Sequence, residues 1–291
     1  MKDARTQLDE IMAHNNSDIE VNEEKRVFIN VHDSDKIELI VIKPNVIPKT
    51  VVVFYHSGGW VIGSASNTLS LGKYIATKME SIVVLADYRK APEYPFPVPV
   101  NDAYAALEWI DRNMLDIAGR KLPLIIMGES AGGNLAAVTA IRARDLKGPE
   151  LAAQILLYPV VSDDLDNETY RNPENQLMLS KRDMMWFWDK YIPNIQERKN
   201  PEASPIYTEN LTDLPPTIIL TAGYDPLCQE GGDYAARLIQ AGIPVVFKKF
   251  EDQFHGFFSL FDILPASQES FALICNSLDY FLKFNQSNLK L

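Results

Sequence analysis

The stretch LIIMGESAGGN, residues 124–134, joins a continuous apolar run to a segment rich in small residues. Within it, Gly128-Glu129-Ser130-Ala131-Gly132 fits the pattern Gly-x-Ser-x-Gly. Between a strand and a helix this pattern forms a sharp turn, which needs both glycines because a β-carbon there would collide with a neighbouring element. The setting predicts that Ser130 is a nucleophile held at the amino end of a helix. The alternative is a glycine-rich turn that carries an incidental serine.

Short apolar runs recur on both sides of this turn. They cover residues 51–55, 81–88, 122–128, 152–159, 216–223 and 245–250. Segments compatible with helices lie between most of them, at 102–114, 131–145 and 231–241. Apolar strands that alternate with helices predict a mostly parallel sheet with helices on both faces. Two further runs, 27–31 and 37–42, flank a polar turn and predict an antiparallel hairpin at one edge of the sheet.

Residues 162–205 interrupt this alternation with a polar, proline-containing segment that would form a lid over the carboxyl end of the sheet. The segment carries an aromatic group, Trp186-Phe187-Trp188 with Tyr191. We expect these rings to form the small core of the insertion, because aromatic side chains dominate small cores. The alternative is that Trp186 and Trp188 line a substrate pocket.

The overall composition excludes several classes of function. A net charge of −11 without a dense basic run argues against nucleic acid and anionic membrane partners. No apolar stretch reaches the roughly 20 residues that a membrane span requires, and the first residues lack the apolar run of a signal peptide. The two cysteines, Cys228 and Cys275, are expected to be reduced thiols. A cytoplasmic protein is the prediction.

A nucleophilic serine needs an imidazole to take its proton and a carboxylate to orient that imidazole. On a sheet of this kind the acid and then the histidine follow the serine in the chain. Of the four histidines only His255 comes after Ser130, and it follows the predicted strand 245–250. His255 is therefore the predicted base.

Asp225 is the predicted orienting acid because it directly follows the apolar run 216–223, at another strand end. The competing role is that of a helix cap, since Pro226 suits a first helical turn. Three candidate residues at three strand ends favour the catalytic role.

The segment His56-Ser57-Gly58-Gly59-Trp60 follows the first parallel strand. Acyl transfer requires backbone N–H donors where the carbonyl oxygen becomes negative, and glycines let the backbone turn its amides toward that point. We expect Gly58 and Gly59 to supply two donors of this oxyanion hole and Ala131, the residue after the nucleophile, to supply the third.

Together these motifs resemble the hormone-sensitive-lipase-like branch of the α/β-hydrolases, a bacterial esterase group that includes acetyl esterases. The matching segments are HSGGW (56–60), DYRKAPEYPFP (87–97), GESAGGN (128–134), YDPL (224–227) and HGF (255–257). The resemblance implies an α/β-hydrolase fold with an eight-stranded sheet and a helical cap. It further implies hydrolysis of short- to medium-chain acyl esters, through an acyl-enzyme, without a metal or cofactor.

The same resemblance implies a division of the chain. Residues 1–24 and 162–205 would form the cap, and residues 25–161 and 206–291 the catalytic domain. His56 and Glu129 would support the site without reacting, and Trp60 joins Trp186 and Trp188 as a possible contact for the substrate.

Three positions depart from the family pattern. Ser57 replaces a glycine, Glu129 replaces the commoner aspartate, and Lys90 stands where leucine is usual. None of them removes a catalytic group, although each could shift rate or specificity.

Two alternative functions share these motifs. The triad would also serve an amidase or deacetylase that acts on acylated small molecules, and the scaffold alone would serve a small-molecule receptor without activity. No exposed apolar lid is evident, which argues against a true lipase. If the strand 245–250 is an uncovered edge, it can pair with a second copy, so we expect a monomer or a homodimer.

Overall fold

The computed structural model describes Arg5 and residues 18–288, with side chains described up to Lys283. Most of the predicted N-terminal cap segment, 1–24, therefore lies outside the described residues. The chain forms an eight-stranded sheet in the order β1-β2-β4-β3-β5-β6-β7-β8. Its strands are β1 Glu23–Asn30, β2 Lys36–Lys43, β3 Thr50–Tyr55, β4 Ser81–Asp87, β5 Leu124–Glu129, β6 Ala153–Leu157, β7 Thr217–Tyr224 and β8 Val245–Phe254.

The strand directions match the sequence prediction. Strands β1 and β2 pair as an antiparallel hairpin, and β2 also runs antiparallel to β4. From β4 through β3 to β8 every pairing is parallel. The hairpin forms one edge of the sheet and β8 the other.

Helices cover both faces of the sheet, as expected for a parallel sheet whose strands are apolar on both sides. The helices in the described part of the chain are α1 Leu69–Lys78, α2 Val98–Arg112, α3 Met114–Ala118, α4 Ala131–Asp145, α5 Glu168–Arg171, α6 Lys181–Tyr191, α7 Cys228–Gln240 and α8 Pro265–Asn288. Helices α2, α4 and α7 pack on one face in one hydrophobic cluster. Helices α1 and α8 pack on the opposite face in a second cluster. Alternate residues of β3 divide between the two, since Val51 and Val53 belong to the first and Val52 and Phe54 to the second.

The insertion contains the short helix α5 and the longer helix α6. The amino end of α6 is fixed by a capping box, in which Ser180 Oγ accepts the Asp183 N–H at 3.2 Å and Asp183 Oδ2 accepts the Ser180 N–H at 2.9 Å. The buried residues of this helix, Met184, Trp188 and Tyr191, recur at helical spacing and face inward. The insertion thus presents one side of α6 to the body of the protein.

None of the helices described by the structure is both long enough and apolar enough to cross a bilayer.

Candidate active site

Ser130 lies between β5 and α4, in a turn that its glycines make possible. Its backbone has φ +55° and ψ −118°, which is strained for a residue with a side chain. A β-carbon on Gly128 would lie 2.1 Å from the Gly132 carbonyl oxygen, and one on Gly132 would lie 2.0 Å from the Tyr55 carbonyl oxygen. Both contacts are with backbone atoms that cannot move aside. The close packing of β3, β5 and α4 therefore explains why the pattern requires glycine at both positions.

Ser130, His255 and Asp225 form a continuous chain of hydrogen bonds. The Ser130 hydroxyl lies 3.0 Å from His255 Nε2, and His255 Nδ1 donates to Asp225 Oδ2 at 2.8 Å. Asp225 is fully buried, so its carboxylate is shielded from water. These distances allow the imidazole to accept the serine proton while the carboxylate fixes its tautomer.

Asp225 also has a part of the capping role that the sequence offered as an alternative. Its Oδ1 accepts the Leu227 N–H at 2.9 Å, just before α7 begins at Cys228. One carboxylate oxygen thus fixes the start of the helix while the other holds His255.

The loop after β3 lies beside the serine turn, because the β-carbon position of Gly132 abuts the carbonyl groups of Tyr55 and His56. Gly58 and Gly59 have φ values of +117° and +58°. Within the described residues, the N–H groups of Gly58, Gly59 and Ala131 have no hydrogen-bond acceptor. Free amides next to a nucleophile are what an oxyanion hole requires.

His56 supports this loop from below. Its Nδ1–H donates to the Ser57 carbonyl at 2.6 Å, and its ring stacks on Tyr88 with 4.2 Å between centroids. Burial lowers the pKa of the imidazole.

Asp87 lies on the far side of His56, with Oδ1 3.6 Å from His56 Nε2. Lys90, the residue that departs from the family pattern, donates to the same oxygen at 2.8 Å. Burial acts to raise the pKa of Asp87, but the neighbouring His56 ring and Lys90 ammonium outweigh it and hold that pKa below its usual range. Asp87 therefore stays ionised beneath the oxyanion loop.

Glu129, next to the nucleophile, is buried. Its Oε1 accepts hydrogen bonds from the Tyr158 hydroxyl at 2.8 Å and the Ser259 hydroxyl at 2.6 Å. Burial raises the pKa of this carboxyl above its usual value, although the two hydroxyl groups act in the opposite direction. The supporting role of Glu129 stays a prediction.

The aromatic residues divide into buried and exposed members. Trp60 and Trp188 are both fully buried, and Trp60 stacks on Tyr191 with 4.3 Å between ring centroids. The prediction that these two tryptophans contact the substrate is wrong for this structure, because neither side chain is exposed. Trp188 and Tyr191 pack with Trp60 in the main hydrophobic cluster, so the expected separate core of the insertion is not formed. Trp186 is 37% exposed, and its predicted contact with the substrate stays a prediction.

Phe187 is the ring that reaches the site. A β-carbon on Gly59 would lie 2.1 Å from Phe187 Cδ1, so this side chain lies directly on the oxyanion loop. Its role was not predicted, because the aromatic run alone does not tell which rings of α6 face the site. Helical spacing was the available signal, since Phe187 lies three residues after Met184 and four before Tyr191, on the inward side of the helix.

The surface of the insertion also corrects the sequence analysis. Leu177, Met178 and Met185 are 64%, 68% and 49% exposed. An exposed apolar set is therefore present on this part of the molecule, contrary to the expectation that none would be found.

Across the part of the chain that the structure describes, no group of three or more His, Cys, Asp and Glu side chains is arranged to hold a metal ion.

Comparison with known proteins gives a consistent result. The family described as α/β hydrolase fold matches residues 52–259. Among curated proteins, the carboxylesterase NlhH of Mycobacterium tuberculosis is 34% identical over 223 residues, which cover 76% of this chain and 70% of that protein. The arylesterase of Saccharolobus solfataricus is 34% identical over 71% of this chain and 68% of its own length.

Solved structures extend the similarity to almost the whole chain. The esterase of Pyrobaculum calidifontis superposes with a TM-score of 0.89 at 32% identity, covering 97% of this chain and 93% of that one. A thermostable esterase from Pseudomonas putida superposes with the same TM-score at 31% identity, covering 97% and 90%.

Proposed function

We propose, from the premise that this chain belongs to the hormone-sensitive-lipase-like branch of the α/β-hydrolase family and is a carboxylesterase, that Ser130, His255 and Asp225 are its catalytic triad. The observation that carries the proposal is the unbroken hydrogen-bonded chain from Asp225 Oδ2 through His255 to Ser130 Oγ. It ends beside amide groups that lack acceptors among the described residues.

The reaction begins when His255 Nε2 takes the Ser130 proton and Ser130 Oγ attacks the ester carbonyl carbon. The carbonyl oxygen becomes negative and is stabilised by the amides of Gly58, Gly59 and Ala131, each worth roughly 3 to 4 kcal/mol in such sites. His255 then protonates the leaving alcohol, which leaves an acyl group on Ser130. Water that loses its proton to His255 releases the acid and restores the serine.

The triad is tested by Ser130→Ala. We expect the hydrolysis of p-nitrophenyl acetate to fall by roughly 10³-fold or more, because the variant has no nucleophile. Ser277→Ala, on α8 and hydrogen-bonded only within its helix, is the matched control and should keep full activity. Full activity of Ser130→Ala would refute the assignment.

We propose short- to medium-chain acyl esters as substrates. Support comes from Phe187, whose ring lies against Gly59, one of the proposed oxyanion donors. The exposed Leu177, Met178 and Met185 favour the opposite preference, for long apolar chains. A rate series from acetyl to palmitoyl p-nitrophenyl esters decides between them, and we expect kcat/KM to fall beyond medium chain lengths.

The location of the protein in the cell and its oligomeric state stay predictions. We predict a cytoplasmic location. For the oligomeric state we propose a monomer or a homodimer, since β8 is an edge strand and Phe247 on it is 42% exposed.

A further inference from the structure

One carboxylate oxygen connects three separate loops around the reaction centre. Glu129 Oε1 accepts from Tyr158, which follows β6, and from Ser259, which lies four residues after His255. Glu129 itself precedes Ser130 at the end of β5. Glu129 and Tyr158 are buried, at 2% and 1% exposure, so water does not compete for the bond between them, whereas the bond from Ser259 is partly buried.

Tyr158 is also in contact with the proposed base. Its ring centroid lies 4.9 Å from that of the His255 imidazole. The Tyr158 backbone has φ +36°, an unfavourable value for an aromatic residue, and its N–H donates to the Leu220 carbonyl at 2.6 Å. Since strained residues cluster at functional sites, this conformation of Tyr158 next to His255 suggests that Tyr158 helps to place the imidazole.

The histidine loop has further anchors of its own. Phe257 and Phe258 are fully buried, and the Ser267 hydroxyl donates to the Phe258 carbonyl at 2.6 Å. These contacts fix the loop to α8 and to the core. Among the residues that the structure describes, the Ser259 hydroxyl is the one side-chain group of this loop, besides His255 itself, that hydrogen-bonds to the segment carrying the nucleophile.

We propose that Ser259 and Tyr158 are positioning residues, which hold His255 at hydrogen-bond distance from Ser130 by binding a shared oxygen of Glu129. The proposal rests on the proposed triad. The two hydroxyl groups fix the distance between the histidine loop and the serine turn, and the Tyr158 ring limits how far the imidazole can tilt. We call this set of two hydrogen bonds to Glu129 Oε1 the clamp. A displacement of about 1 Å at a reacting group can cost roughly 10²-fold in rate, so loss of the clamp is expected to lower kcat.

The length of the acid matters for this clamp. Glutamate places its carboxylate one methylene further from the backbone than the aspartate commoner in the family, and here that reach meets both hydroxyl groups. Glu129→Gln keeps an oxygen at the same position, whereas Glu129→Asp withdraws it.

The experiment compares steady-state kinetics of p-nitrophenyl acetate hydrolysis in the whole chain. We expect Ser259→Ala to lower kcat about tenfold with little change in KM, and Ser259→Thr, which keeps the hydroxyl, to restore most of it. Tyr158→Phe should lower kcat about threefold, because the ring remains. Glu129→Gln should retain more activity than Glu129→Asp.

A double-mutant cycle tests whether Ser259 acts through Glu129. In a Glu129→Leu background, Ser259→Ala should cause no further loss. An equal loss in both backgrounds, or full kcat in Ser259→Ala, would overturn the proposal. If Glu129→Leu does not fold, failure of Ser259→Thr to restore kcat has the same force.

The experiments distinguish failure of the proposed triad from failure of the proposed clamp. An active Ser130→Ala enzyme refutes the triad itself, whereas an inactive Ser130→Ala enzyme together with an unimpaired Ser259→Ala enzyme refutes only the clamp.

Discussion

Two acids support the reaction centre through different loops: Asp87 is half-buried and Glu129 is buried, and their surroundings differ. Asp87 lies under the oxyanion loop, with the Lys90 ammonium 2.8 Å from its Oδ1 and the His56 ring next to it. Glu129 lies under the serine turn and the histidine loop, and its Oε1 meets only the hydroxyl groups of Tyr158 and Ser259.

The difference shows how a partner sets the charge of a buried acid. A nearby cation favours the ionised form, so the pKa of Asp87 lies below its usual range. Neutral hydroxyl groups compensate burial only in part, so the pKa of Glu129 is raised. The oxyanion loop is thus supported by an ion pair, whereas the serine turn is supported by hydrogen bonds and by close backbone packing.

The largest expected effect is on the free energy of unfolding, and it differs between Gly132 in the serine turn and Gly59 in the oxyanion loop. Gly132→Ala forces a β-carbon against the Tyr55 carbonyl oxygen, so we expect a loss of about 3 kcal/mol in the free energy of unfolding. Gly59→Ala meets the Phe187 ring, which can move, and has φ +58°, so we expect a loss of only about 1 kcal/mol. Urea denaturation measures both.

The effect on activity is measured for the folded fraction of each variant. Gly59→Ala displaces a proposed oxyanion donor, and we expect kcat to fall by roughly 10²-fold. Equal stability losses in the two variants would contradict the idea that the serine turn is the more rigid side.

A smaller effect is expected from the ion pair. Lys90→Leu installs the residue usual in the family and leaves Asp87 without its ammonium, so we expect the free energy of unfolding to fall by about 1 to 2 kcal/mol. The control is Lys121→Leu, whose partner Asp111 is 40% exposed, and it should leave the midpoint of urea denaturation unchanged. An unchanged midpoint in Lys90→Leu would show that the ammonium does not stabilise the loop.

The smallest effect, about 1 kcal/mol, concerns pH and has opposite signs at the two acids. Asp87 has a lowered pKa, so its contribution is present above the ordinary value of 3.8 and is lost as the pH falls through the folded-state pKa. Glu129 has a raised pKa, so its contribution is present below 4.5 and is lost as the pH rises through the folded-state pKa.

Urea denaturation over a pH series checks this by comparing the wild type with Asp87→Asn and with Glu129→Gln. We expect the advantage of the wild type over Asp87→Asn to shrink on acidification, and its advantage over Glu129→Gln to shrink as the pH rises. Parallel trends in the two comparisons would refute the assignment of charge.

The sequence predicted those parts of the fold that depend on local pattern. Continuous apolar runs identified the strands β3 to β8, and the serine turn located the start of α4 at Ala131. Helix α2 begins at Val98, four residues before the predicted start at Asp102, because Pro97 and Pro99 suit the first turn of a helix. Strand β8 continues to Phe254, past the predicted end, and brings His255 directly to the carboxyl edge.

The candidate triad could be found because chain order and strand ends restrict it to few residues. The supporting residues could not. Ser259 and Glu129 are 130 positions apart, and no local pattern relates them. Trp60 and Trp188 were misassigned as possible substrate contacts because a cluster of aromatic letters does not reveal which rings are buried.

The unequal burial of the tryptophans gives the protein an optical reporter of its own. Trp60 and Trp188 are fully enclosed, while Trp186 is 37% exposed and lies 5.2 Å, between ring centroids, from Phe187 on the oxyanion loop. A dissolved quencher such as iodide therefore reaches Trp186 and the partly exposed Trp109, and leaves the fluorescence of the enclosed pair unaffected. In a Trp109→Phe variant, a molecule that fills the space beside Phe187 is expected to change the fluorescence of Trp186, so occupancy of the site can be followed without a label.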